Sequence, residues 1–232
     1  MITFDLRNSW RRIAVAIGAL GLAGAATAAA LPNLATDFVT AKAQFEAGRA
    51  GSHDATERAQ QLFSQLLRKD AENPLYLAYY GSTYALQARD SAAPWTRIKL
   101  INQGNALLDR ALALLDQAPA TTRPVTAHPG AGTAGTAGLE TRLVAMATFI
   151  ALPEALFHRR TAAKREYQRA LASPEFPAAT PDLQGHLQYE GALIAREEGD
   201  ATAERSALQR VLALAPPSID LAEVRARLAE LH

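Results

Sequence analysis

The chain has 232 residues, enough for one domain of ordinary size or a short array of repeats. Apolar residues make up 49% of it and aromatic residues only 6%, so Ala and Leu dominate and favour helices; the formal net charge is +1. The absence of cysteine excludes a disulfide framework, a thiolate metal site, a cysteine nucleophile and a lipoprotein anchor.

The N-terminal segment has the three parts of a secretory signal peptide. Three arginines form a basic start, residues 13–25 are apolar, and small-x-small cleavage sites follow within residues 26–30. We therefore expect residues 1–28 to be cleaved and the protein to be periplasmic or secreted. The alternative is an uncleaved anchor with the rest of the chain facing the periplasm, because the apolar stretch is just long enough to span a bilayer.

The charge of the mature chain argues against a nucleic-acid partner. Removal of residues 1–28 lowers the count of basic residues from 24 to 21 and the count of acidic residues from 23 to 22. No basic stripe of the kind that binds phosphates remains. Contact with a membrane is expected only through the N-terminal segment, and only if it is not cleaved.

A first helical block is predicted over residues 33–117. The spacing of apolar residues predicts helices over 36–47, 54–69, 75–87 and 95–115. Asp54 is the predicted cap of the second helix, and Pro74 is suited to the start of the third. The short turns between these helices predict antiparallel hairpins.

Two motifs in this block resemble those of the tetratricopeptide repeat (TPR). Leu77-x2-Tyr80-Gly81-x2-Tyr84 resembles the first-helix signature W-x2-L-G-x2-Y, and Ala59-x3-Phe63 resembles the second-helix signature A-x3-F. The chain is also similar to secreted bacterial TPR proteins that have a helix followed by Arg-Asp, proline and an aromatic residue. The resemblance implies an all-α fold of antiparallel helical hairpins stacked as a short TPR-like solenoid, which binds other proteins and performs no chemistry.

The connection predicted over residues 88–95 is longer than a TPR allows. Two interpretations remain open: the extra turn extends the following helix and buries Trp95, or the long loop carries function.

A flexible linker is predicted over residues 118–138, which are rich in Pro, Gly, Thr and Ala and show no periodicity. We expect two helical blocks to hinge there. The second block, 139–232, has predicted helices over 139–156, 161–171, 182–198, 201–215 and 220–231. Pro153 is expected to kink or end the first of these, and the last, with a box of Asp220 and Glu223, is expected to cap the array.

No catalytic or metal-binding motif is present in the sequence. No two of the five histidines have the spacing of a helical metal site, and the usual hydrolase and nucleotide-binding motifs are missing. The pairs Glu154/His158 and His186/Glu190 lie one helical turn apart and are interpreted as surface support. We therefore expect no enzyme activity, cofactor or metal, although an unrecognised helical active site stays open as an alternative.

The sequence favours an exported adaptor that binds a protein or peptide. The alternative is an accessory subunit of an envelope transporter or assembly complex, held by an uncleaved N-terminal anchor. The predicted binding residues are Tyr76, Tyr79, Arg89, Trp95 and Arg97, because Tyr, Trp and Arg dominate interface hot spots. A purely structural alternative is that Arg89 and Trp95 fix the long connection to the array, with Asp90 paired to an arginine.

Overall fold

The protein is all-α in the part of the chain that the computed structural model describes, residues 34–117 and 136–231. In chain order the helices are α1 Leu34–Arg49, α2 His53–Lys69, α3 Pro74–Asp90, α4 Pro94–Gln117, α5 Ala137–Ala151, α6 Glu154–Phe157, α7 Arg160–Ala172, α8 Pro181–Glu198, α9 Ala201–Leu214 and α10 Leu221–Glu230. A short 3-10 turn, Phe176–Ala178, precedes α8. The predicted signal peptide and residues 118–135 of the predicted linker lie outside the described residues.

The helices pack as neighbouring pairs. Four hairpins form from α1 with α2, α3 with α4, α5 with α7, and α8 with α9, while α10 packs on α9. The first helices of successive hairpins also contact one another: α1 touches α3, α3 touches α5, and α5 touches α8. We call the surface formed by α1, α3, α5 and α8 the first-helix wall. This arrangement confirms the predicted all-α fold of stacked hairpins.

Local sequence explains most helix ends, with one correction to the predicted caps. Ser52, not Asp54, caps α2 and accepts a hydrogen bond from the Ala55 backbone N at 3.3 Å. Pro153 ends α5, as its missing N–H requires. Gly199, at φ 74°, closes α8 in the left-handed conformation that glycine adopts at little cost.

The predicted long connection after α3 is wrong. Helix α3 continues to Asp90 and α4 begins at Pro94, so only residues 91–93 join them. Ala88 and Arg89 are good helix formers, and proline suits the first turn of the next helix. The extra residues therefore lengthen both helices.

One hydrophobic core crosses the predicted boundary between the two blocks. Its buried members come from α1 to α5, from α7 and from α8. Ala137 and Gly138, predicted as the end of the linker, instead form the first turn of α5. The two blocks thus share a packed interior rather than a free hinge. None of the helices in the described ranges is both long and apolar enough to cross a membrane.

Candidate functional site

The five residues predicted to bind a partner lie in different surroundings. Tyr76 is fully buried in the core, where its ring lies 5.7 Å from that of Phe38. Arg89 is thirteen residues further along α3, about 20 Å away at the rise of an α-helix. These two side chains do not form one surface patch, and Tyr76 has no exposed area for a partner.

Arg89 holds the end of the first hairpin. Its guanidinium donates to the backbone oxygens of Gly48 at 3.0 Å and Arg49 at 3.2 Å, which are the last carbonyls of α1. It also pairs with Asp90 at 2.7 Å. A cation at a helix C-terminus satisfies carbonyls that lack an intrahelical partner. The surroundings of Arg89 therefore match the structural alternative in which Asp90 pairs with an arginine.

Trp95 and Arg97 lie at the start of α4. Trp95 is 80% exposed, so the interpretation in which it buries itself is wrong. The Nε of Arg97 donates to the Ser91 backbone oxygen at 2.5 Å, which fixes the short turn. Binding of a partner by Trp95 and Arg97 stays a prediction.

A recess opens on the first-helix wall. It is a cavity of about 170 Å³ lined by residues of α1, α3, α5 and α8, together with Thr136 and Thr180 at the N-terminal ends of α5 and α8. Every hairpin contributes its first helix to this cavity. Of the five predicted residues only Tyr79 lines it.

Tyr79 packs its ring among aromatic side chains and contributes a hydroxyl to the polar contacts of the cavity lining. Its ring stacks on Phe63 at 5.0 Å and meets Phe45 edge-on at the same distance. Its hydroxyl donates to Glu140 Oε1 at 2.6 Å, and Lys42 Nζ binds the same oxygen at 2.6 Å. Burial, followed by the charge of Glu140, raises the pKa of Tyr79 well above its usual value, so the hydroxyl stays a donor. This network joins α1, α3 and α5.

A second polar network lies across the cavity on α8. His186 Nε2 is 2.6 Å from the Ser218 hydroxyl, which donates its one proton to Asp182. His186 therefore carries a hydrogen on Nε2 and donates it to Ser218. Burial lowers the pKa of His186 to about 4 against the opposing charge of Asp182, so its imidazole is neutral at pH 7.

Glu190 is the least satisfied group of the cavity. Its side chain is 3% exposed, and its buried Oε2 accepts no hydrogen bond from any described residue. Burial raises the pKa of Glu190 to about 7, although the charge of Arg49 from α1 opposes the shift.

Because its pKa is raised, Glu190 destabilises the folded state at neutral and alkaline pH. Between pH 4.5 and 7 the unfolded chain releases this proton while the folded chain keeps it. The contribution of Glu190 to stability therefore falls as pH rises through this window, and the full cost is present above pH 7. The other charged or titratable side chains that line the cavity are Lys42, Glu46 and Arg49 on α1, Tyr79 on α3, Glu140 on α5, and Asp182 and His186 on α8.

Sequence reasoning noticed the His186/Glu190 pair but placed it on the surface, which the structure corrects. Both side chains are buried in the cavity. The overlooked signal is the position of Glu190 within the apolar stripe of α8, at the i+7 step from Leu183 and the i+3 step from Leu187. Glu140 stands in the same relation to Leu143, Val144 and Ala147 on α5.

The lining of the cavity mixes carboxylates with aromatic, hydroxyl and cationic side chains. Within residues 34–117 and 136–231, no three His, Asp or Glu side chains are grouped so that they hold a metal ion. The carboxylates instead face aromatic rings, hydroxyls and two cationic side chains. The chain matches no protein-family model, no curated protein and no solved structure. Function must therefore be argued from this geometry.

Proposed function

We propose that the protein is an adaptor that binds an extended segment of another protein along the first-helix wall. The observation that carries this proposal is the cavity lined by the first helix of every hairpin. In stacked-hairpin solenoids the repeated first helices form an extended concave surface, and such surfaces are used for binding. A recess on this wall gives a bound segment a place for a side chain.

We further propose that the hairpins are TPR-like repeats. The small residues of the motifs support this: Gly81 faces Gly104 where α3 crosses α4, and Ala59 is fully buried in α2. Small residues at such crossings let helices approach closely, which is the role they have in the TPR signature.

Site-specific photo-crosslinking tests the adaptor proposal. Ala147 lines the cavity and is replaced by the photo-reactive residue p-benzoylphenylalanine in the full chain, produced in its own cells. We expect irradiation to yield a discrete set of protein adducts, identified by mass spectrometry.

The matched control carries the same residue at Ala226, which is exposed on α10 away from the cavity. Adducts from position 147 only would support the adaptor. No adduct at 147, or the same adducts at both positions, would contradict it.

We propose the cell envelope as the place of action, because residues 1–28 have the parts of a signal peptide. The intact mass of the protein recovered from the envelope fraction is expected to lack these residues. A mass that includes them would favour the accessory subunit held by an N-terminal anchor, and recovery from the cytosol alone would overturn both.

A further inference from the structure

Carboxylates outnumber cations in the cavity. Its acidic side chains are Glu46, Glu140, Asp182 and Glu190, and its basic side chains are Lys42 and Arg49. Lys42 is paired with Glu140 at 2.6 Å, and Arg49 with Glu46 at 3.0 Å. His186 is neutral at pH 7. The unbalanced charge is therefore negative and lies on α8.

Above pH 7, where Glu190 is ionised, Glu190 and Asp182 share that charge, but they differ in how they are satisfied. Asp182 accepts a proton from the Ser218 hydroxyl. Glu190 Oε2 is buried and meets no donor among the described residues. A buried carboxylate without a hydrogen-bond partner lowers the free energy of unfolding. Such groups are rare in folded proteins, and each one calls for an explanation. Glu190 lines the cavity, so a ligand that enters it can supply the missing donor.

The size and the walls of the cavity limit what this donor can be. A volume of about 170 Å³ is close to the roughly 150 Å³ that holds one benzene ring, and well below the roughly 300 Å³ at which sites for drug-sized ligands begin. Phe45, Leu143 and Val144 give the cavity an apolar wall. An aliphatic stem with a cationic head fits this combination, because such side chains bury their methylenes and pair their charge.

We propose that the cavity binds the lysine or arginine side chain of a bound protein segment, with Glu190 as the buried counter-ion and Phe45, Leu143 and Val144 packed on its methylenes. The inference rests on the proposed adaptor function for the source of the side chain. The cavity itself defines the chemistry, an alkylammonium or alkylguanidinium group.

Side-chain analogues test the chemistry without knowledge of the partner. n-Butylammonium, n-butylguanidinium and neutral n-butanol are titrated into the full chain at pH 8 and followed by NMR. We expect saturable binding of both cations and none of butanol. Glu190→Gln should weaken cation binding about tenfold or more, since the ionised acceptor becomes a neutral amide oxygen and the charge pairing is lost. The control Glu223→Gln removes an exposed carboxylate of α10 and should leave binding unchanged.

The folded state of the variant is checked by its melting midpoint at pH 8. Glu190→Gln replaces a buried charge by a neutral amide, so its midpoint should equal or exceed that of the wild type. Cations that bind the Gln variant as tightly as the wild type, or that fail to bind the wild type, would overturn the proposal. If the variant does not fold, the comparison of the two cations with butanol in the wild type still tests the proposal.

A blocked tripeptide identifies the source of the cation. Acetyl-Ala-Lys-Ala-amide should bind the wild type, and acetyl-Ala-Gln-Ala-amide should not. Binding of n-butylammonium with exclusion of the lysine peptide would overturn the claim and indicate a free small amine as ligand. Crosslinks at position 147, together with analogue binding that Glu190→Gln does not change, would support the adaptor function and contradict only this inference.

Discussion

Gly81→Leu is expected to lower the free energy of unfolding by about 3 kcal/mol. A Cβ at position 81 would lie 2.9 Å from the Gly104 backbone oxygen, 3.1 Å from Leu107 Cβ and 3.2 Å from Leu108 Cγ. The first of these is a backbone atom of α4, which cannot move without separating the two helices. A leucine brings three further carbons into the same space, so the hairpin of α3 and α4 must open.

The effect is measured by thermal unfolding followed by circular dichroism, where 3 kcal/mol corresponds to about 6–12 °C for a domain of this size. Gly81→Ala and Gly138→Ala form a matched pair. A Cβ at position 138 meets only Leu115 Cδ2 at 3.8 Å, an ordinary contact, so that variant should be neutral or slightly stabilised. Equal midpoints for Gly81→Leu and the wild type would contradict the close packing of α3 on α4 at Gly81.

Phe38→Ala is expected to destabilise the protein by about 3–5 kcal/mol. The Phe38 ring is fully buried and lies 5.7–6.3 Å, between ring centroids, from those of Phe63, Tyr76 and Tyr79. Truncation removes contacts to three aromatic rings on two neighbouring helices, α2 and α3, and leaves a cavity that rigid rings fill poorly. Denaturant unfolding of the full chain measures the loss.

The neighbouring residue is the control for this prediction. Val39 lies on the same helix but is 47% exposed, so Val39→Ala should change the free energy of unfolding by about 0.5 kcal/mol or less. If both variants lose the same stability, helix propensity rather than the aromatic contacts would explain the effect, and the packing of α1 on α3 would need revision.

Helix existence was predictable from this sequence because its apolar residues recur at helical spacing and its turns carry Pro, Gly and Asn. The error after α3 arose because the local pattern there is misleading. Arg89-Asp90 reads as a loop when followed by Ser91 and Pro94, yet the helix continues because Arg89 finds the carbonyls of Gly48 and Arg49. That contact is tertiary, so no local pattern reports it.

The candidate site was predicted only in part. Residue type selected Tyr79, which lines the cavity, but the same criterion selected Tyr76, which is core. The helical position of Glu190 could be read from the sequence, whereas its burial depends on the helices that pack against α8 in the folded chain. Trp95 shows the converse, because an aromatic residue at a helix start is buried only if another element covers it.

The network of Lys42, Tyr79 and Glu140 has a consequence for how the protein is made. Lys42 and Glu140 are 98 positions apart, and the opposite side of the cavity comes from α8, later still. A chain emerging N-terminus first has half of the recess long before the other half exists. Stalled or clipped products that end before α8 lack one side of the recess. On the proposed adaptor function, such products would not compete with complete molecules for a partner, and binding would require that synthesis has passed α8.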